Sequence, residues 1–442
     1  MNSMTLPCSH HQLRWLEHEE STSSSYAKHN IPFIMRRHGP LDIEKLRQSM
    51  QTIIAKNDAL QLAIYKHEGK LHQRIHSIET VHINEYHLPD SSVEDYCHLL
   101  RKLTSESIPY DKPPLLRANV VWHSEACQTI VIVISHMIAD AESAIILMRM
   151  LQQCYHSGDI KTEENYLASY SDYIKYDTTR HFHTDYSAKI NFWTNYLKNY
   201  RPLRTLYDSK KLHKKNDYTF FDFDKKTILK LRQQKHKLKC SIFEYLLAAF
   251  VLSCSTILNQ DDISFFLPVS ERRTRYFFKK IGFLSGPILF RAKVEKNLTV
   301  REWIDNIRGN VQSVVNNFLP VRLIENKFRK RYNTSIMSNV MLSWINLKYA
   351  QLKTIDGIKY EFPREIIGAG NNMGMPLFIS FFYYNHSVRL QIDYNAQIYN
   401  AQVIEKWMDT YNRILLEMLA TQEQTLADIT DKITATLASK SA

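Results

Sequence analysis

The sequence predicts a mixed α/β protein built from two halves of similar size. The chain has 442 residues, and single hydrophobic cores stop growing at roughly 250–300 residues. Apolar residues with helical spacing alternate along the chain with short extended segments rich in β-branched and aromatic residues. A hydrophobic content of 44% and a charged content of 23% are typical of globular proteins. These observations predict two domains, each combining a sheet with helices.

The first half begins with an amphipathic helix over 41–57, whose apolar residues Leu46, Met50, Ile53 and Ile54 share one face. Turn residues, β-branched runs and helical spacing predict the elements after it. In order, these are two strands within 59–76, a helix over 93–107, a hairpin over 115–135, a helix over 141–158 closed by Gly158, and aromatic-rich helices over 166–176 and 187–203.

The second half follows a basic segment of low apolar content, 204–217, which we interpret as a linker between domains 1–203 and 218–442. The same periodicities predict its elements. In order, these are a strand over 217–224, helices over 226–236 and 241–258, a strand over 263–270, a helix over 298–317, strands over 339–347, 377–385 and 388–395, and a helix over 401–420.

The chain is basic, with a formal net charge of +12. Its basic residues cluster at 209–215, 225–239, 271–280 and 325–331. Such runs are either solvated helix faces or a docking surface for an acidic partner, which is a nucleic acid, a phosphorylated cofactor or an acidic protein. A nucleic acid is the weakest of the three, because the sequence has no zinc finger, RNP pattern or basic-plus-heptad stretch.

The cysteines and the apolar segments predict a cytoplasmic protein. Six scattered cysteines without a CxxC pair are typical of buried thiols in a reducing compartment. The start of the chain lacks a signal-peptide pattern. The longest apolar stretch, 242–254, contains Glu244 and is too short to span a bilayer, so we expect no contact with a membrane. We expect no metal site, because the histidines at 181–183 lie in a polar stretch.

The segment "VIVISHMIADAESA", residues 131–144, carries the clearest chemical signal. An apolar strand ends at Ser135, His136 follows, and Asp140 comes four residues later, just before a helix. In a water-excluded site His136 would keep a neutral imidazole that accepts a proton from a hydroxyl or amine. The alternatives are a buried structural histidine and an Asp140 that serves as the helix N-cap. Patterns for serine hydrolases, zinc proteases, P-loops and dinucleotide binding are absent.

The context of this segment resembles, over nearly the full chain, the condensation domains of nonribosomal peptide synthetases within the chloramphenicol-acetyltransferase-like superfamily. Their HHxxxDG motif corresponds here to Ser135 through Ala141, "SHMIADA". Weaker signatures of the family occur in the expected order at 10–20, 41–64, 169–176, 191–197, 242–273 and 281–291.

This resemblance implies two chloramphenicol-acetyltransferase-like lobes in a V-shaped pseudo-dimer, with mixed sheets flanked by helices and a tunnel between the lobes. It also implies transfer of an acyl or aminoacyl group from a phosphopantetheine thioester to an amine or hydroxyl, forming an amide or ester. His136 then corresponds to the catalytic histidine. Asp140 corresponds to a structural aspartate that pairs with an arginine, and Arg272 lies where that arginine is expected.

The chain departs from the family pattern at several positions. Ser135 and Ala141 replace the first histidine and the glycine of the motif, and Ser285-Gly286 stands where an asparagine is expected. We therefore count these four residues among those that line the tunnel or contact substrate. Ser343 and Asn346 join them as candidates on the strand 339–347. A Gly-rich segment near 364–378 corresponds to the family's bridging segment.

The resemblance also implies partners. The residues left over would not accommodate a carrier or adenylation domain, so we expect a stand-alone, monomeric enzyme with no bound cofactor. We expect it to receive its donor in trans from an acidic acyl or peptidyl carrier protein and to use a small-molecule amine or alcohol as acceptor. The alternatives are an acyltransferase that uses acyl-CoA and a catalytically silent binding protein of the same fold.

Overall fold

The structure of the chain is a computed structural model. The structure describes residues 5–22, 29–89, 91–160, 168–204, 216–272, 276–332, 338–347, 354, 358–361, 375–384 and 387–439. These residues form two compact units of similar size. The first unit comprises 1–186, 270–286 and 349–369, and the second comprises 187–269, 287–348 and 370–442.

The first unit contains a five-stranded mixed sheet. Its strand order is β12 (Lys359–Glu361), β2 (Asn30–His38), β7 (Cys127–Ser135), β6 (Leu116–Ser124) and β5 (Ile83–His87). All neighbours are antiparallel except β5 and β6. A second, antiparallel sheet is formed by β1 (Thr5–Pro7), β4 (Lys70–Ile75) and β3 (Leu62–His67). Because β7 is central, it is buried on both faces, which explains its uninterrupted apolar sequence.

Five helices accompany these sheets: α1 (His10–Thr22), α2 (Ile43–Ala55), α3 (Val93–Ser105), α4 (Ala141–Ser157) and α5 (Tyr170–Thr178). The N-cap residues Asp42, Ser92, Asp140 and Ser169 each accept a backbone hydrogen bond from the first turn of α2, α3, α4 and α5 respectively. Gly158 ends α4 in the left-handed conformation that glycine tolerates best. Helix α4 packs on α2 and β2.

The second unit contains a six-stranded mixed sheet. Its order is β10 (Ser285–Lys293), β9 (Asp262–Ser270), β11 (Val340–Asn346), β13 (Leu377–Tyr384), β14 (Ser387–Asn395) and β8 (Asn216–Asp222). Strand β11 is parallel to β9 and β13, while β14 is antiparallel to β13 and β8. The remaining helices are α6 (Tyr186–Tyr196), α7 (Lys225–Lys237), α8 (Ile242–Leu258), α9 (Val300–Asn316), α10 (Val321–Tyr332), α11 (Ala401–Ala420) and α12 (Leu426–Ser439).

Within the described ranges, no single helix is long and apolar enough to cross a membrane. Among the helices that the structure describes, α7 and α8 taken together meet the length and composition of a span, and they are bent by 106°. Most of α8 is buried in the second unit.

The predicted elements are confirmed to within a few residues, from the helix α2 at 41–57 to the helix α11 at 401–420, except that the helix predicted over 187–203 ends at Tyr196. The prediction missed β2, whose sequence contains Pro32. Since β12 pairs only with residues 36–38, β2 is an edge strand at Pro32 within the described sheet, and proline is tolerated there. Besides β2, the elements that the sequence did not indicate are β1, β5, α10, β12 and α12.

The division into units differs from the predicted boundary at residue 203. The N-terminal part of the first unit ends at Tyr186, and the unit also includes two later segments, 270–286 and 349–369. Sequence periodicity does not indicate this exchange, because it depends on long-range contacts such as the pairing of β12 with β2. Residues 205–215 of the predicted linker and 364–374 of the predicted bridging segment lie outside the described residues.

Candidate active site

Strand β7 places His136 at the end of the five-stranded sheet. The strand is buried from Gln128 to Ser135, and His136 is the first residue beyond it. The backbone N–H of His136 donates to His29 O at 3.0 Å, and the N–H of Ile138 donates to Ser135 O at 3.1 Å. The chain therefore turns directly after the strand and fixes the position of the imidazole.

Aromatic rings enclose the His136 side chain. Trp15 of α1 contacts it edge-on with ring centroids 4.4 Å apart, and Phe283 lies at 4.8 Å. His136 is only 7% exposed, and burial lowers the pKa of its imidazole to about 4 despite the nearby Asp140 charge. The imidazole is therefore neutral at pH 7. Its Nδ1 is buried without a hydrogen-bond partner in the described part of the chain, which leaves it available to a substrate group.

Helix α1 holds the turn that follows His136. The Gln12 side chain donates to Met137 O at 2.8 Å and to Gln73 Oε1 of β4 at 3.0 Å. Ser135 is fully buried, and its hydroxyl accepts a hydrogen bond from Met137 N at 3.3 Å. Ser135 therefore contributes to the shape of this turn, and its contact with a substrate stays a prediction.

Asp140 caps helix α4 and binds Arg272. Its Oδ1 accepts from the N–H of Ser143 at 2.9 Å, while Oδ2 accepts from Arg272 Nη1 at 2.7 Å and from Leu284 N at 3.0 Å. Burial alone would raise the pKa of Asp140, but the Arg272 charge and these hydrogen bonds hold it below its ordinary value. Asp140 is therefore a buried anion committed to structure rather than to proton transfer.

Arg272 satisfies all five of its N–H donors in a buried position. Nη1 binds Asp140 Oδ2 and Ser270 Oγ, Nη2 binds Ser143 Oγ and Gly282 O, and Nε binds Lys280 O, at distances of 2.7–3.4 Å. We call Arg272, Asp140, Ser143 and the backbone of 280–284 the Arg272 network. It joins the start of α4 to the segment that carries Phe283, and so it fixes one wall around His136.

A second buried charge network lies beside the first. Arg180 binds Glu271 and Asp177, and Tyr173 donates to Glu271 Oε1 at 2.8 Å. His11 Nε2 lies 3.4 Å from the same oxygen. Burial alone would raise the pKa of the Glu271 carboxyl, but the Arg180 charge and the His11 hydrogen bond lower it below its ordinary value. This network ties α1 and α5 to the residue that precedes Arg272.

His11 occupies the space that a side chain at position 286 would need. A Cβ atom built on Gly286 would overlap the His11 ring, so the close approach requires glycine. The His11 ring also packs against Phe283 in a tilted arrangement, with centroids 5.5 Å apart. The predicted site residue Gly286 is therefore buried against a second imidazole near His136.

The other predicted site residues are more dispersed. Ala141 is exposed at the start of α4, and Ser285 is half-buried at the start of β10. Ser343 and Asn346 lie on β11 in the second unit. Being three residues apart, they point to opposite faces of the strand. Asn346 shares its face with Trp344, which packs on Phe243 of α8.

Sequence reasoning missed several residues that shape the site: His11, Gln12, Trp15, Ser143, Glu271 and Phe283. The first three lie in the segment 10–20 that was recognised only as a family signature. Ser143 is the third residue of a helix capped by Asp140, a position from which a serine can complete a capping box. Nothing in the local sequence of Glu271 indicates that its carboxylate is buried.

Comparison with known proteins identifies one family over almost the whole chain. The model of the family described as "Condensation domain" matches residues 2–436. Surfactin synthase subunit 1 of Bacillus subtilis is 23% identical over 438 residues, which cover 96% of this chain but 12% of that protein. The chain thus spans about a tenth of the length of the curated relatives that it matches.

Solved structures show the same fold. The first condensation domain of the calcium-dependent antibiotic synthetase, in complex with a substrate analogue, has a TM-score of 0.80 at 13% identity and covers 96% of this chain and 99% of that one. The starter condensation domain of rhizomide synthetase, in complex with C8-CoA, also has a TM-score of 0.80 at 13% identity, with coverages of 96% and 97%. The predicted two-lobed, chloramphenicol-acetyltransferase-like fold class is thereby confirmed.

Asp140→Ala is expected to lower the free energy of unfolding by about 3–5 kcal/mol, because it leaves the Arg272 charge buried without its partner. Glu142→Ala is the matched control. Glu142 lies 3.7 Å from the same Arg272 nitrogen but its side chain is 43% exposed, so its loss should cost less than about 0.5 kcal/mol. Urea unfolding measures both variants. Equal losses would contradict the structural role of Asp140.

Gly286→Ala is expected to destabilise the protein by about 1–3 kcal/mol, because the new methyl group meets the His11 ring. In a His11→Ala background this cost should fall by at least about 1 kcal/mol, which a double-mutant cycle measures. Gly309→Ala in α9, where a Cβ meets no atom within 4 Å, should cause no loss. If the effects of Gly286→Ala and His11→Ala on the free energy of unfolding simply add, a steric conflict between the new methyl group and the His11 ring is refuted.

Proposed function

The chain belongs to the condensation-domain family, and we propose that it transfers an acyl or aminoacyl group from a phosphopantetheine thioester to an amine or hydroxyl acceptor. The product is an amide or an ester. We further propose that the donor is presented in trans by an acidic acyl or peptidyl carrier protein, and that the acceptor is a small molecule. Stand-alone action, the monomeric state and the cytoplasmic location stay predictions.

The observation that carries this proposal is the neutral, buried imidazole of His136. It lies at the end of a rigid strand, two aromatic rings exclude water from it, and its Nδ1 has no partner in the described part of the chain. Asp140 makes its contacts with Arg272 and α4 instead. Of the two polar groups His136 and Asp140 in the SHxxxDA motif, His136 is therefore the one that can interact with a substrate.

The proposed reaction is an acyl transfer in which the proton lost by the acceptor is gained by the leaving thiol. The acceptor nitrogen or oxygen forms a bond to the thioester carbonyl carbon, which gives a tetrahedral intermediate. The carbon–sulfur bond then breaks, and the sulfur leaves as the phosphopantetheine thiol, with the proton that the acceptor loses. No oxidant, reductant or metal is required by this balance.

His136 contributes to this reaction as a hydrogen-bonding neutral imidazole. A general base works best with a pKa near the working pH, whereas burial lowers the pKa of His136 to about 4. We therefore favour an imidazole that hydrogen-bonds the reacting groups and stabilises the tetrahedral intermediate, over one that holds a full proton. One well-placed hydrogen-bond donor of this kind contributes about 3 kcal/mol.

Acyl-CoA is the second candidate donor. It carries the same phosphopantetheine thioester, and one structural neighbour is described in complex with C8-CoA. Mass spectrometry of the products formed from an acyl-carrier and from the matching acyl-CoA distinguishes the two donors. Ser135 and Ala141 depart from the family motif, so a binding protein of the same fold without catalytic activity is the alternative to an enzyme.

His136→Ala is expected to reduce the rate of acyl transfer at least about 100-fold while the protein stays folded, because the group that contacts the reacting atoms is lost. The assay follows product formed from a soluble pantetheine thioester and a panel of amines and alcohols. His123→Ala is the control, since the His123 ring bonds Thr129 on β7 and has no proposed role in the reaction. Unchanged turnover in His136→Ala would remove the catalytic assignment.

The pH profile with an alcohol acceptor is expected to stay flat from pH 8 to about 5. An alcohol does not titrate in this range, and the pKa of His136 is lowered to about 4, so the imidazole stays neutral until the pH approaches that value. The acid limb of kcat/KM should therefore lie at about pH 4. A limb near the ordinary histidine value of about 6.5 that disappears on His136 substitution would contradict the buried, neutral imidazole.

A further inference from the structure

Four arginine side chains are buried in the part of the chain that the structure describes, and one of them lacks a counter-charge. Three form ion pairs with aspartate or glutamate side chains, namely Arg180, Arg272 and Arg389. Arg37 of β2 is 3% exposed and forms no ion pair with any described residue. Because a buried cation without a counter-charge is costly, an anion that reaches Arg37 would be bound favourably.

The pleat of β2 directs Arg37 to the buried face of the strand. Side chains along a strand alternate between its two faces. Ile31, Phe33 and Met35 precede Arg37 on the same face, and all three are buried and apolar. The guanidinium therefore lies at the end of an apolar row inside the first unit.

The contacts of the guanidinium orient it without neutralising its charge. Its central carbon lies 5.2 Å from the centroid of the Tyr155 ring on α4 and 5.9 Å from that of the Tyr360 ring on β12. Nη1 donates to Gly39 O at 2.7 Å, and Nε donates to the Tyr360 hydroxyl at 3.4 Å. That hydroxyl also bonds His156 Nε2 at 2.9 Å. An arginine has five N–H donors, so several of them lack an acceptor among the described residues.

The guanidinium borders a small, partly open cavity. The empty volume of this cavity is about 190 Å³ with the open mouth included, and its interior has room for about one water molecule. Gln152 of α4 lines the same cavity and is 4% exposed. Among the described residues its amide nitrogen donates only to Met35 Sδ, at 3.5 Å, and a thioether sulfur is a weak acceptor. Two buried donor groups, one of them charged, therefore line one space. We call Arg37, Gln152, Tyr155 and Tyr360 with this cavity the Arg37 site.

The charged side chains near the cavity do not neutralise Arg37. Lys45 Nζ of α2 lies 5.1 Å from the centroid of the Tyr155 ring. Asp42 donates its backbone N–H to the Tyr155 hydroxyl at 2.9 Å, but its carboxylate is exposed and caps α2. The exposed charges of Lys45 and Asp42 balance each other, and Glu44 pairs with Arg47. The charge of Arg37 is thus left over in this part of the first unit.

We propose that the Arg37 site binds a small monovalent anion, which is a halide or the carboxylate group of a small acid. The fixed fork of a guanidinium matches a carboxylate, and one negative charge neutralises the one buried cation. Sulfate and phosphate are excluded by size, because the interior has room for only about one water molecule. Tyr360 lies directly opposite Arg37 in the pairing of β12 with β2. The anion would therefore stabilise the attachment of β12 to the sheet.

The Arg37 site lies at the other end of the sheet from His136. In the pairing of β2 with β7, Arg37 lies opposite Gln128, whereas Ser135 lies opposite Asn30. This difference in register corresponds to about 23 Å at about 3.3 Å per residue. The proposed anion site is therefore independent of the proposed acyl transfer, and its effect is expected on the stability of the first unit.

Thermal unfolding of the full chain at constant ionic strength tests the site. The background anion is gluconate, which is too large for the cavity. Replacing it by chloride or by formate should raise the Tm saturably by at least about 2 °C, because an anion that binds only the folded state stabilises it. Sulfate should cause no saturable rise. A rise with chloride alone identifies a halide site, and a rise with formate alone identifies a carboxylate site. No saturable rise with either anion would overturn the proposal.

Substitutions assign the effect to Arg37. Arg37→Leu should abolish the saturable rise and, in gluconate, be at least as stable as the wild type, because it removes a buried unpaired charge. Arg36→Leu is the matched control, since it removes the same charge from the opposite face of β2, where the Arg36 guanidinium lies 5.5 Å from the centroid of the Tyr96 ring. This variant should keep the rise. Equal responses of the wild type and Arg37→Leu would refute the site.

A direct measurement keeps the proposal testable if Arg37→Leu does not fold. Chloride-35 NMR of the wild type should show line broadening that formate reverses and gluconate does not. Arg37→Lys keeps the charge but loses the guanidinium fork, so it should weaken formate binding at least about tenfold. Broadening that formate leaves unchanged, or an unchanged affinity of Arg37→Lys, would contradict an anion bound by the fork.

Discussion

The buried ion pair between Asp140 and Arg272 is the interaction on which the candidate site depends. Removing two charges from water costs several kcal/mol for each ion, and such a pair persists only when further hydrogen bonds satisfy both groups. Here every N–H of Arg272 has an acceptor, and the Asp140 carboxylate accepts from two backbone N–H groups as well. This complete satisfaction holds the start of α4 and the backbone of 280–284 in one arrangement.

The state of His136 follows from that arrangement. Phe283 lies in the segment that Arg272 fixes, Trp15 lies on the helix that Gln12 anchors to the turn after β7, and the two rings exclude water from the imidazole. Desolvation then keeps the ring neutral. Asp140 and His136, four positions apart in one motif, thus differ in state, because the Asp140 carboxylate accepts hydrogen bonds from Arg272 and from two backbone N–H groups while His136 is surrounded by rings.

Most of the secondary structure was predictable because it depends on local patterns. The apolar spacing of α2 and α11 and the β-branched run of β7 report which face of each element is buried. Strand β2 escaped prediction because Pro32 is acceptable only at a position without a second neighbour, and that neighbour is known only from the sheet. That segments 270–286 and 349–369 belong to the first unit was not predictable either, because it too depends on contacts between distant parts of the chain.

The sequence by itself determined the mixed α/β class, the order of most elements and the candidate His136, since these depend on periodicity or on a short motif. The two-lobed fold and the pairing of Asp140 with Arg272, which is 132 residues away, were implied only by the resemblance to the condensation family. Only the tertiary structure decided what surrounds them. The close packing of His11 against Gly286, the burial of Glu271 beside Arg180 and the exposure of Phe182 and Tyr276 arise from contacts between segments about 90 to 275 residues apart. Burial is a property of the packed chain, and no local sequence pattern predicts which distant side chain will pack against a given residue.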